Sequence, residues 1–133
     1  MLWAEVAGDP DFQRFWTERR IGMISTVRSD GRPHTVMVGI VVDFETGIAR
    51  VIARGGSVKV RNVRAAGAPG APVNLSQSEG GSWSSLQGIA VIRDDPASVA
   101  DAEHRYARRY RVPKPNPARV VIEVAVVAVL GRW

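Results

Sequence analysis

The sequence predicts a mainly β fold: six antiparallel strands forming a barrel, with two or three short helices packed outside it. Three observations predict it. Apolar and polar residues alternate with period two over several segments. The turns between those segments are short and glycine-rich, as hairpins require. No strand is followed by a helix long enough for a parallel crossover, and no G-x-G-x-x-G or Walker loop follows a strand, so a Rossmann-like sheet is excluded.

Each element follows from local chemistry. Asp9 is a good N-cap, Pro10 suits the first helical position, and Phe12, Phe15 and Trp16 share one face of a short amphipathic helix ending near Arg20 to Gly22. Met23 to Arg28 reads as a strand, Asp30-Gly31 as its hairpin turn and Pro33 to Val42 as the returning strand. A turn at Glu45-Thr46-Gly47 sends the chain into Ile48–Ala53, which makes a three-strand meander. Gly55-Gly56 then precedes Ser57, an N-cap for a short basic helix that stops at Gly67. Residues 67–72 form a small-residue loop. Val73–Gln77 and Ser82–Ile92 pair across Glu79-Gly80-Gly81, with a bend at Gly88. Asp94-Asp95-Pro96 opens a second amphipathic helix whose buried stripe is Val99, Ala102, Tyr106 and Tyr110. After the stiff Val112–Pro117 segment, Arg119 to Leu130 is the last strand.

The 133 residues suit a single domain, residues 1–133. Absence of cysteine removes disulfides, thiolate-held metals and thiol nucleophiles, and two histidines are too few for an all-histidine site, so no metal is expected. The longest apolar run, Val120 to Leu130, is shorter than the ~20 residues of a membrane-spanning helix. Met1 to Glu5 lacks the charged and apolar regions of a signal peptide, so the expected location is cytoplasmic. The net charge is +5, and all 18 basic residues except Lys59 and Lys114 are arginine. Planar guanidinium groups suit carboxylates and phosphates, so an anionic ligand is expected. The basic residues are scattered, without a basic tail or an aromatic RNA-binding motif, which argues against nucleic acid.

Gly55-Gly56-Ser57-Val58-Lys59 carries the chemistry most directly. It sets free backbone N–H groups, a hydroxyl and an ammonium at one helix N-terminus, the generic cradle for a phosphate. A capped helix with a solvent-facing lysine gives the same pattern. His34 reads as a hydrogen-bonded strand histidine with no triad partner in range, and Asp94 and Asp95 are explained by capping. The cations of Arg105 to Arg111 suit a helix C-terminus. No catalytic side chain can be named.

The run Met23 to Gly39, followed by Gly55-Gly56-Ser57-Val58-Lys59-Val60-Arg61-Asn62, resembles the split β-barrel flavin/deazaflavin oxidoreductases related to pyridoxamine 5′-phosphate oxidase. Ser76-Gln77, Trp83, Leu86-Gln87-Gly88 and the stretch Arg105 to Val124 are similar to the actinobacterial branch that uses coenzyme F420, above all to its biliverdin-reducing mycobacterial members. The resemblance implies an FMN-binding-like, six-stranded split β-barrel that forms a homodimer, with the cofactor in a groove between barrels. It implies F420 as cofactor, with FMN as the alternative, and hydride transfer to a conjugated small-molecule acceptor such as biliverdin; a non-catalytic F420 carrier is a further alternative. Carried over, the phosphate lies at Gly55, Gly56, Ser57, Lys59 and Asn62, and the ring lies along Val36, Val38 and Gly39. Gln77 and Trp83 close the groove from the partner chain. Arg111 and Lys114 meet the cofactor tail or substrate carboxylates. Many relatives have arginine where Ser57 stands. The tail matters because F420 carries a phosphodiester and an oligoglutamate chain, a polyanion suited to an arginine-rich protein.

Overall fold

Period-two alternation buries one side of each strand in a common core, and the burial pattern follows it. In the strand Ile48–Arg54, for example, Ala49, Val51 and Ala53 are buried while their neighbours are not. The computed structural model describes residues 1–133. In chain order it contains α1 (Trp3–Val6), α2 (Pro10–Thr17), β1 (Gly22–Val27), β2 (Pro33–Val38), β3 (Val41–Asp43), β4 (Ile48–Arg54) and α3 (Val58–Ala66). There follow β5 (Ala71–Glu79), β6 (Ser82–Arg93), α4 (Pro96–Arg109) and β7 (Arg119–Arg132).

The expected six-stranded barrel is overturned. The strands form one open sheet of seven, in the order β2-β1-β5-β6-β7-β4-β3, and no ladder joins its two edges. The extra strand arises because the expected strand from Pro33 to Val42 breaks at Gly39-Ile40. Its first part pairs with β1 at one edge and its second with β4 at the other. The three-strand meander falls with it, since β4 pairs with β3 and β7 and never with β2. The cause is tertiary. Ile40 is fully buried, its N–H donates to the Tyr110 hydroxyl at 2.9 Å, and its carbonyl accepts from the Arg109 guanidinium. Backbone groups that would have extended a ladder are thus taken by side chains at the end of α4. The three Cα steps from Val38 to Val41 span at most ~11 Å, so this crossing draws the two edges of the sheet together at one corner and the sheet curls around its core.

The helices follow their capping chemistry. Asp9 accepts from the Asp11 N–H and Asp95 from the Ser98 N–H, each just before a proline at the helix start. There are four helices rather than two or three. The addition, α1, is one turn long and is fixed by the Glu5 carboxylate on the Leu2 N–H, 2.7 Å. Gly88 sits at the expected bend, where the register of β6 against β7 shifts and a Cβ would lie 2.4 Å from the Ala125 carbonyl oxygen. Pro33 and Pro72 are tolerated because one begins an edge strand and the other lies beyond the β1–β5 register of Met23 to Ser25. Phe12, Trp16, Ile24, Leu75, Leu86 and Ile122 are at the centre of the core, and Val60 and Val63 bring α3 onto it.

Candidate functional site

The most distinctive polar chemistry lies where β4 passes into α3. Gly55 donates its N–H to the Ala118 carbonyl at 2.8 Å, and a Cβ there would stand 2.9 Å from that oxygen, so close approach demands glycine. Gly56 opens the other way, with nothing within 4 Å of the position its Cβ would take. Ser57 occupies the N-cap position with extended backbone, yet its hydroxyl makes no cap, and Oγ is buried without a partner. Native proteins seldom leave a buried hydroxyl unpaired, because desolvation costs about 1–3 kcal/mol. Lys59, half-buried in the first turn, has its ammonium pushed below the usual lysine range, chiefly by burial and then by the nearby Arg54 cation.

Asn62 ties this helix to the sheet through Nδ2 on Thr26 Oγ1, 3.0 Å. Thr26 stands opposite His34 in the β1–β2 ladder, and His34 Nδ1 is buried with no partner, contrary to the hydrogen-bonded histidine expected. An anion at this helix end would accept from the Ser57 hydroxyl and the free N–H groups of α3, and it would offset the repulsion between Lys59 and Arg54. The residues present therefore fit a phosphate group.

On the adjoining face of α3 a second cleft of about 330 Å³ opens toward the β1–β2 hairpin, lined by Arg28, Asp30, Arg32, Arg61 and Asn62 among others. Arg32 pairs with Asp30 at 2.8 Å, while Arg28 and Arg61 have no ion pair. Sequence reasoning missed this cleft. The available signal was an arginine on each side of the Asp30-Gly31 turn.

The other expected site residues are dispersed. Val36 and Val38 turn their side chains onto the core, so only the backbone of edge strand β2 is offered there to a ligand. Gly39 is covered by Tyr106 and Tyr110, whose rings would stand 2.8 and 3.0 Å from a Cβ. Gln77 is buried, donating to the Phe15 carbonyl at 2.6 Å and accepting from Arg109 at 2.9 Å. Trp83 is exposed, opposite Ser78 and Arg132. Arg111 and Lys114 lie exposed at the end of α4, beside a separate cleft walled by Glu103, His104 and Pro113.

The sequence places Arg109 among the cations that suit a helix C-terminus. It is instead a buried hub, donating also to the Glu18 carbonyl, with its guanidinium 5.2 Å from the Tyr110 ring. A further cleft of about 550 Å³ between α2, β3 and α4 contains none of the expected residues. No group of acidic, histidine or cysteine side chains has the arrangement of a metal site.

An antiparallel sheet whose α3 N-terminus offers free N–H groups, an unpartnered hydroxyl and an ammonium has the chemistry of a protein that takes an anionic ligand such as a phosphate. The chain belongs to the pyridoxamine 5′-phosphate oxidase family, whose model matches residues 9–132. It is 49% identical over 121 residues to the F420H(2)-dependent biliverdin reductase of Mycobacterium tuberculosis (strain CDC 1551 / Oshkosh), covering 91% of this chain and 85% of that one. Among solved structures, the conserved hypothetical protein Rv2991 of Mycobacterium tuberculosis superposes with a TM-score of 0.75 at 20% identity, covering 99% of this chain and 84% of that one. An F420 reductase superposes with a TM-score of 0.68 at 24% identity, covering 88% and 94%. These two superpositions speak to the fold alone.

Proposed function

We infer that the protein is an F420-dependent reductase of conjugated acceptors, biliverdin being the first candidate, and that residues 1–133 act as one deazaflavin-binding domain. The observation that carries this reading is the identity over nine-tenths of the chain with a reductase of that cofactor and substrate, in a protein whose α3 N-terminus presents an unpartnered hydroxyl and a disfavoured ammonium. Reduced F420, when bound, supplies a hydride to an electron-poor carbon of the acceptor, and a proton completes the two-electron reduction. The chain's own residues bind and orient. Ser57, Lys59 and the α3 N–H groups hold the phosphate, Gly56 leaves the approach to it open while Gly55 seats the turn on the Ala118 carbonyl, and Asn62 fixes the helix against β1.

A homodimer is part of the reading. Met37, Met23, Ser76, Ser85 and Leu130 stand side by side across β2, β1, β5, β6 and β7, and Ile89 joins them on the same face. Met37 is 65% exposed, and Met23, Ile89, Leu130, Trp83 and Val127 are exposed as well. A sheet face on which these apolar side chains stand exposed among serines supports burial against a second copy. No helix is long and apolar enough to cross a membrane.

The test is titration with F420 and with FMN, followed by steady-state oxidation of reduced F420 with biliverdin and a panel of other conjugated acceptors. Tight FMN binding with no response to F420 overturns the cofactor. F420 binding without turnover of any acceptor makes the protein a carrier.

A further inference from the structure

We propose that the cleft between α3 and the β1–β2 hairpin is the seat of the cofactor's oligoglutamate tail, with Arg28 and Arg61 as its carboxylate-binding residues and Arg32 as an auxiliary. The inference rests on the cofactor reading above and replaces the expectation that Arg111 and Lys114 take that part.

Three observations support it. The first is continuity. The Arg61 N–H bonds the Ser57 carbonyl at 3.1 Å, so Arg61 lies one helical turn, about 6 Å along the axis, beyond the phosphate cradle. Asn62, which holds α3 against β1, also lines the cleft. A chain leaving a phosphodiester at Ser57 therefore enters the cleft without crossing another element.

The second is charge. Arg28, Arg32 and Arg61 face a single carboxylate, Asp30, and that carboxylate is taken by Arg32, which holds it below the usual aspartate range. Arg28 and Arg61 are both exposed, and neither has a side-chain partner, so two guanidinium forks remain free for bidentate pairing with carboxylates.

The third is the contrast with Arg111 and Lys114. They flank a different cleft, one walled by the acidic Glu103. The Lys114 carbonyl accepts from Arg119, and that arginine is paired with Glu103 at 2.6 Å, so the segment is bound up with its own carboxylate.

The assignment makes the hairpin a selector. FMN ends at its phosphate and gains nothing from Arg28 and Arg61, whereas each glutamate of a tail adds a carboxylate within their range.

The experiment measures dissociation constants by calorimetry for two probes, F420 carrying its glutamates and the same cofactor stripped of every glutamate but keeping the phosphodiester. The proteins are wild type, Arg28→Ala/Arg61→Ala and Arg111→Ala/Lys114→Ala. Both pairs are exposed, and circular dichroism with thermal melting verifies that the variants fold. Wild type should prefer the tailed probe by about tenfold at low salt, and the preference should shrink in 0.5 M salt, on the order of a few-fold remaining. The Arg28/Arg61 variant should bring the preference below about twofold while leaving affinity for the stripped probe unchanged, and the Arg111/Lys114 variant should keep the wild-type preference. Two results overturn the inference and leave the cofactor reading intact: no tail preference in wild type that binds both probes, or a preference that survives in Arg28→Ala/Arg61→Ala. If wild type binds neither probe, the cofactor reading itself fails and the inference fails with it.

Discussion

At the C-terminal end of α4 and at the N-terminal end of α3 the protein buries polar groups in opposite ways. Around the end of α4 no buried side-chain polar atom lacks a partner. Arg109 meets the carbonyls of Glu18 and Ile40 and the Gln77 amide, and the Tyr110 hydroxyl accepts from Ile40 N–H and donates to the Arg20 carbonyl at 2.7 Å. Around α3 the Ser57 hydroxyl and His34 Nδ1 have no partner, Lys59 is disfavoured as a cation, and Arg28 and Arg61 stand free. Both regions carry arginine, a helix end and a neighbouring glycine. The first region spends its hydrogen bonds on the fold, and the second leaves its donors for a ligand, which is why cation density alone distinguishes them so poorly.

The comparison breaks most easily at Arg109. Replacement by methionine removes the guanidinium from the Glu18 and Ile40 carbonyls and leaves the buried Gln77 amide oxygen without its donor, and should destabilise the protein by about 3–5 kcal/mol in urea unfolding, with Arg109→Lys recovering less than half because an ammonium lacks the fork. An unchanged midpoint would show that the corner is not a fold-holding element. Gly39→Ala comes next. Its methyl would press on the Tyr106 and Tyr110 rings, so a loss of about 1–3 kcal/mol is expected, and Tyr106→Ala in the same background should restore part of it.

At the other region the effects move from stability to binding. Lys59→Ala should weaken F420 binding by about 10- to 100-fold, read by fluorescence titration, while the stability of the free protein holds or rises. A pH dependence goes with it. Burial and Arg54 put the folded pKa of Lys59 below 10.5, so at lower pH the charged lysine costs stability. Between the folded value and 10.5 the unfolded chain keeps a proton that the folded chain has released, and stability rises with pH across that window. The stability advantage of Lys59→Ala should therefore narrow as pH approaches 10.5, and bound phosphate should reduce it at neutral pH. The smallest effect is expected at Ser57→Ala: a cofactor affinity lower by about 1 kcal/mol, and no loss of stability, because the hydroxyl removed had no partner. A marked loss of stability would mean that Ser57 caps α3 after all.

Much of this was legible in the chain. The Asp-Pro helix starts, the Asp30-Gly31 hairpin, the bend at Gly88 and the N-cap position of Ser57 each depend on a few adjacent residues, and each stands where those residues place it. The break at Gly39-Ile40 was not legible, because alternation runs through it unchanged and the groups that take the Ile40 backbone come from some 70 positions away. Arg109 looked like one more cation at a helix end, and its burial depends on carbonyls from α2 and the strand crossing. The cleft that joins Arg28 to Arg61 likewise exists only once α3 packs beside the hairpin. Ser57 could be read as a capping residue, but that its hydroxyl lacks a partner is a property of the folded surroundings.

The position of β7 bears on how the molecule is made. This strand, residues 119–132, lies between β6 and β4 and is the sole ladder joining the four-strand set β2-β1-β5-β6 to the pair β4-β3. During translation the earlier strands are therefore synthesised and exposed before the strand that unites them leaves the ribosome. Until then β4 and β6 each present an unpaired edge beside apolar side chains, a surface that invites mispairing. A premature stop codon between residues 94 and 118 would leave β2-β1-β5-β6 and β4-β3 as two unjoined sets of strands rather than a trimmed enzyme, and quality-control proteases would be expected to clear such a product.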